Sequence, residues 1–347
     1  MLLEEVVKRR ASDLHLQVGL PPNVRADGSL IPLTSFGNLD ESQVEALIFQ
    51  LMEEDQKAIL LRDKEFDFSF TFGNLGRFRV NAFHEKGNLA ASMRLIPSQI
   101  QGVDELGLPP IVRKFSEYPS GLVLITGPNG AGKSTTMASL IDQVNNDRAA
   151  HIITVEDPIE YTHQSKKSII AQREVHYDTF SFSAALRSAL REDPNIILIG
   201  EMRDLETIAS ALIIAETGVL VFAALHTNSA AQSIDRMVDV FPPHQQIQVR
   251  SQLANVLRAV CAQRLLPSLS GGLVLAAEVM VATPAVRNII REGKTYQLDA
   301  VIQTGSAHGM QSMDHTLVNM VHSGVISYDV ARGAAIDATE LDRLMRS

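Results

Sequence analysis

Residues 121–135 read GLVLITGPNGAGKST, and their punctuation decides the fold. GLVLIT is apolar without alternation, the mark of a strand buried on both faces. GPNGAGKS, residues 127–134, matches G-x-x-x-x-G-K-[ST]. A helical segment follows, with Met137, Leu140, Ile141 and Val144 on one stripe. Strand, glycine-rich loop and helix in that order make a phosphate-binding loop. Gly127, Gly130 and Gly132 let the backbone curl so that its N–H groups face phosphate oxygens. The helix N-terminus adds favourable partial charge. Pro128, Asn129 and Ala131 complete the loop, and Thr135 follows it. Lys133 is expected to reach the β- and γ-phosphates of ATP, and the Ser134 hydroxyl to bind Mg²⁺.

Outward from this loop the pattern repeats. HIITV (151–155), NIILI (195–199) and VLVFAAL (219–225) are short apolar strands separated by helical segments. That is the pattern of a parallel sheet covered on both sides, whose strand C-termini share one edge, where ligands bind. TVEDPIEY, residues 154–161, brings Glu156, Asp157 and Glu160 to that edge. NIILIGEMRD, residues 195–204, has Gly200 where an aspartate is expected, and Glu201 follows. Ser134 and Glu201 are therefore the candidate Mg²⁺ ligands. His226 ends the next strand and either caps the following helix or approaches the γ-phosphate. Asp157, before Pro158, is equally a cap or a functional carboxylate. Arg187 and Arg191 lie four apart in SFSAALRSALRED, which predicts one helix face. Beyond about residue 241 the chain reads as mostly helical, apart from GLVLAAEVM at 272–280.

Upstream, the first hundred residues read as a small α+β domain. Residues 2–10 suggest a short helix, SDLHLQV a strand, and VRADGSLIPL a hairpin turning at Asp27-Gly28. Residues 40–61 have helical spacing through Val44, Leu47, Ile48 and Leu51. EFDFSFTF, residues 65–72, alternates strictly, with Phe66, Phe68, Phe70 and Phe72 on one side. GNLG turns the chain into RFRVNAF, and LAASMRLI follows, giving an antiparallel meander with one wet face. Arg77 and Arg79 share that wet face, with Arg94 on the next strand. Three Pro and two Gly in residues 97–110 suggest a linker. The expected division is 1–97, a linker at 98–110, and 111–347, with C-terminal helices from about 283.

Composition narrows the function. The 347 residues are 45% hydrophobic and 20% charged, enough to build a core. Lys and Arg number 31 against 40 Asp and Glu, a net charge of -9, which argues against a nucleic-acid binder. The single Cys261 excludes internal disulfides and a cysteine-rich zinc site. The best membrane candidate, ALIIAETGVLVFAAL at 211–225, carries Glu216 and breaks at Gly218, so direct membrane insertion is not expected. With no recognisable signal peptide, the cytoplasm is the expected compartment.

These segments resemble the secretion and type IV pilus ATPases. The phosphate loop, VEDPIE, REDPNIILIGEMRDLETI and TGVLVFAALHTNSAAQSIDRMVDVFP look like that family's Walker A, Asp-box, Walker B and His-box motifs. AVRNIIREGK, residues 285–294, is similar to the AIRNLIRE motif of its retraction ATPases, differing at Val286 and Ile289. The resemblance implies a PAS-like N-terminal domain, a RecA-like P-loop NTPase domain and a helical C-terminal region. It implies a homohexamer that hydrolyses ATP to drive pilus retraction and twitching motility. Partners would be an inner-membrane pilus platform protein and, as an open alternative, a retraction paralogue, with the ring recruited to the cytoplasmic face of the inner membrane at the pilus base. Carried over, Glu201 is the catalytic or Mg²⁺-water carboxylate, Glu156 and Glu160 position water, and His226 senses the γ-phosphate. Arg79, Arg94, Arg187 and Arg191 match phosphate-contacting arginines. Alternatives are a pilus-assembly or type II secretion ATPase and, less favoured, a DNA translocase.

Overall fold

A computed structural model describes residues 2–9, 11–26, 29–73, 76–96 and 99–346. The chain divides into two compact units, one of residues 1–99 with 158–162, the other of residues 100–157 with 163–347. Among the described residues no helix is long and apolar enough to cross a membrane.

The first unit contains α1 (Leu2–Lys8), β1 (Asp13–Leu16), β2 (Asn23–Ala26) and β3 (Ser29–Pro32). Then come α2 (Glu41–Phe49), α3 (Glu54–Asp63), β4 (Glu65–Phe72), β5 (Gly76–Glu85) and β6 (Asn88–Ile96). The strands form one antiparallel sheet in the order β3-β2-β1-β6-β5-β4. Alternation does here what the sequence demands. Phe78, Val80 and Ala82 of β5 are buried with Val44, Ile48 and Leu60 of the helices, while Arg77 and Arg79 turn to the other face. The single helix expected over 40–61 is two. Asp40 caps α2 by accepting from the Gln43 N–H at 2.8 Å, and a second start forms where Gln56 accepts from the Glu53 N–H at 3.0 Å. Two capping signals thus override one continuous apolar stripe. The turn residues Asp27-Gly28, part of the GNLG turn (Asn74, Leu75) and Pro97-Ser98 lie outside the described residues.

The second unit has β7 (Gly121–Thr126), α4 (Lys133–Asp147), β8 (His151–Glu156), β9 (Ile169–Glu174), α5 (Phe182–Ala189), β10 (Ile196–Ile199), α6 (Leu205–Glu216) and β11 (Leu220–Leu225). It continues through α7 (Ala230–Asp239), α8 (Pro243–Val256), β12 (Leu257–Pro267), β13 (Leu273–Val281), α9 (Pro284–Glu292), α10 (Leu298–Thr304), α11 (Met313–His322), α12 (Tyr328–Ala334) and α13 (Ala338–Leu344). Seven strands run in the order β13-β12-β7-β11-β10-β8-β9, all parallel except β13 against β12. β7 is buried throughout: Leu122 and Leu124 enter the core on one side of the sheet, Val123 and Ile125 the core on the other. This is the helix–sheet–helix sandwich expected of a RecA-like domain. Val103 and Leu108, in the proline-rich stretch, are buried against Phe115, Leu140 and Val144. Helices α11 to α13 pack Leu317, Ala331 and Leu341 on Leu266 and Ala276 of β12 and β13.

The helical expectation beyond residue 241 is corrected at β12. This strand of eleven residues, LRAVCAQRLLP, lies between β7 and β13 and buries both faces, so it lacks the alternation that marks a strand. β9 is an additional parallel edge strand that the sequence reading did not single out.

Candidate active site

The phosphate loop joins β7 to α4, and α4 begins at Lys133 itself. Gly127 is required by close approach: a Cβ there would lie 2.3 Å from the Gln263 carbonyl oxygen. Gln263, 1% exposed on β12, donates its amide N–H to the Ala131 carbonyl at 2.6 Å. β12 therefore braces the loop from below through both backbone and side chain. The sequence reading missed Gln263 because it missed its strand.

Lys133 Nζ lies 2.8 Å from the Gly127 carbonyl oxygen and 2.9 Å from that of Pro128. It also lies 3.4 Å from His226 Nδ1, and His226 Nε2 lies 3.4 Å from Glu201 Oε2. Lysine ammonium is a donor and has no acceptor, so His226 Nδ1 accepts and Nε2 carries the hydrogen directed at Glu201. Glu201 Oε1 is 2.7 Å from Arg203 Nε. Three motifs far apart in sequence thus meet in one line at the sheet edge. Parallel strands β7, β10 and β11 are neighbours or next neighbours and end on the same side, which places the line there. The capping reading of His226 gives way: Ser229 caps α7, accepting from the Gln232 N–H at 3.2 Å.

Glu156 ends β8 and accepts from the Thr154 hydroxyl at 2.7 Å and the Gln172 amide at 3.3 Å. A Cβ on Gly200 would sit 3.2 Å from the Glu156 Cα, which explains why glycine holds the strand end. Asp157 lines a recess of about 590 Å³ with Glu201, Arg203, Phe180 and Thr207. A second recess, of about 370 Å³, lies between residues 128–131 of the loop, Arg264 to Pro267, and Asp329 and Val330 of α12.

The arginines separate. Arg187 on α5 pairs with Glu206 of α6 at 3.6 Å. Arg191 does not share its helix face, a correction to the four-residue spacing: α5 ends at Ala189, and the Arg191 and Glu192 N–H groups reach back three residues to Ser188 and Ala189 in a turn before Pro194. Arg79, Arg94 and Glu160 belong to the first unit. There Arg79 Nη1 meets Glu160 Oε1 at 3.2 Å, Arg77 donates to the Ile159 carbonyl at 2.9 Å, and Arg94 pairs with the buried Asp13 at 2.9 Å. Among the described residues no cluster of three or more His, Cys, Asp or Glu side chains is arranged for a metal.

The sequence matches the family described as type II/IV secretion system protein over residues 1–273. The chain belongs to that family. Its type IV pilus retraction ATPase PilT of Pseudomonas aeruginosa is 51% identical over 334 residues, covering 96% of this chain and 97% of the relative. A twitching motility protein of Neisseria gonorrhoeae is 49% identical over 315 residues, 90% of this chain and 84% of the relative. A crystal structure of the pilus retraction motor PilT with bound ADP superposes with a TM-score of 0.91 at 46% identity, covering 99% of this chain and 98% of that one. Within the type II/IV secretion family this chain is thus a nucleotide-binding ATPase of the pilus-retraction, twitching-motility type.

Proposed function

We propose that this chain couples ATP hydrolysis to withdrawal of pilin from the pilus base as a homohexameric ring. The observation that carries the reading is the line Lys133–His226–Glu201, which joins loop, strand end and histidine at one edge. Lys133 and the N–H groups of residues 127–132 hold the phosphates. Glu201 accepts the proton of the attacking water or orients it. His226, between Lys133 and Glu201, registers whether the γ-phosphate is present. Glu156 and Glu160 are assigned to positioning that water. The recess beside Arg264 and Val330 is assigned to the nucleoside.

Mg²⁺ suits the oxygen donors Ser134 and Glu201, hard ligands of the kind it prefers. When bound it would neutralise charge on the transferred phosphate. Arg187 and Arg191 in the second unit, and Arg79 and Arg94 in the first, are assigned to developing charge on that phosphate. An arginine in this role is commonly supplied by a neighbouring subunit. Residues 1–97 and 111–347, joined by 98–110, act as the two working domains. An inner-membrane platform protein is the load, and it recruits the ring to the cytoplasmic face; a retraction paralogue is a further candidate partner.

Steady-state phosphate release from the purified full-length chain tests the enzyme. A deletion strain tests the work: abundant pili that do not retract support the proposal, and loss of surface pili refutes it.

A further inference from the structure

Glu278 lies on β13, 2% exposed, where a carboxylate is costly unless donors answer it. It sits opposite Ala262 of β12, which sits opposite Thr126, the last residue before the phosphate loop. One of its oxygens accepts from the Ala230 N–H at 2.8 Å and the other from the Met313 N–H at 3.4 Å. These are the first N–H groups of α7 and α11, which find no partner within a helix. Ser229 and Ser312 already cap those helices, accepting from Gln232 and His315, so Glu278 is an additional acceptor shared by both. The helices have different neighbours. α7 begins four residues after His226, with the intervening Thr227 hydroxyl 2.6 Å from that of Ser233 on α7. α11 opens the C-terminal helices.

We propose that Glu278 is a positioning residue of the hydrolytic site: its ionised carboxylate fixes the start of α7, and with it His226 against Lys133 and Glu201, and ties that placement to α11. The inference rests on the reading of those three residues as the site of ATP hydrolysis. Protonation would replace one acceptor oxygen by an O–H that faces an N–H; the proton can sit on either oxygen, so both helix starts would be held less firmly.

The surroundings hold Glu278 close to that change. Burial pushes its pKa up to about 7, Asp299 of α10 and Asp314 of α11 push the same way, and the Ala230 and Met313 N–H groups oppose them. Cys261 of β12, opposite the neighbouring Val279, is an uncharged neighbour, its thiol kept protonated by burial with a pKa of about 12. From α7 it meets backbone N–H. Because the folded pKa lies above the ordinary carboxylate value of 4.5, the stability Glu278 contributes is full below about 4.5 and is lost as pH rises through about 7. The form that holds both helices is the one the fold tolerates less.

The test compares kcat and KM of the full-length ATPase with those of Glu278→Gln from pH 5.5 to 8.5, alongside hydrogen exchange of the Ala230 and Met313 amides in the wild type. In the wild type, kcat is expected to rise through a limb near pH 7, and protection of both amides, corrected for intrinsic exchange, to rise with it. Glu278→Gln should lack the limb, with kcat about tenfold lower, the scale of one lost buried hydrogen bond, and KM for ATP within about twofold. A limb that survives in the variant, an unchanged kcat, or amides that respond to pH independently of each other overturns the proposal. If the variant does not fold, the exchange measurement alone decides. It needs no turnover, so a failure of the ATPase reading would show separately, as absent phosphate release.

Discussion

In the antiparallel sheet Arg77 and Arg79 stand on the strand face opposite Phe78 and Val80, and Arg94 lies beside Arg79 on the next strand. In the parallel sheet the corresponding actors, Glu201 and His226, are not on a face at all. They follow the last residues of β10 and β11, whose every side chain is buried. A half-wet sheet presents groups by alternation, a fully buried one by its ends. The difference predicts how each region tolerates change. A residue on the wet face of the first sheet can be removed with little loss of stability. Residues at the parallel edge are half-buried, as Lys133 and Glu201 are, or exposed, as His226 is, and there the chemistry concentrates.

Lys133→Ala should have the largest effect. It removes the ammonium from the phosphates and should abolish phosphate release and twitching, with an unchanged melting temperature. Wild-type turnover in this variant would break the assignment of the edge. Next, Glu201→Gln keeps the shape and loses the charge. Nucleotide binding should persist while kcat falls about 10²–10⁴-fold, the usual range for a positioned general base. A nearly normal Glu201→Gln beside an inactive Glu160→Gln would move the base to the segment held by the first unit.

Gln263→Leu sharpens the comparison, because it probes the support of the edge. Gln263 Oε1 is buried without a hydrogen-bond partner among the described residues, but Leu would also leave the buried Ala131 carbonyl without this donor, so the variant should cost about 1–3 kcal/mol of stability. Losing the bond to Ala131 should weaken nucleotide affinity about tenfold, measured by titration with ADP. Unaltered affinity would show that the glycines hold the loop alone.

Arg79→Ala should cost the fold at most about 1 kcal/mol, because its pair with Glu160 is partly exposed. Its proposed role concerns the transition state, so kcat should fall more than affinity. If it acts on a neighbour's ATP, rings mixed from Arg79→Ala and Lys133→Ala subunits should regain some activity. The absence of rescue in verified mixed rings would assign Arg79 to its own subunit or to packing alone.

Much of this was legible because periodicity is local. The meander of β4 to β6 was readable from its alternation, and the phosphate loop from a motif between strand and helix. The Arg187–Arg191 pairing failed because four-residue spacing presumes a helix that here stops at Ala189. β12 failed because a strand buried on both sides carries the same apolar run as a buried helix.

By itself the sequence determined which residue types were available at the strand ends: Lys133 after a glycine loop, Glu201 after Gly200, His226 after VLVFAAL. Backbone sterics and hydrophobic period act over a few residues, so they can be read in order. Tertiary structure alone decided that Lys133, His226 and Glu201 form one line, that Gln263 supports the loop, and that Glu278 joins the starts of α7 and α11. Those contacts depend on strand order and register, which place residues from 25 to 132 positions apart within hydrogen-bonding distance. No local period encodes that order; it is set by which faces must be buried together.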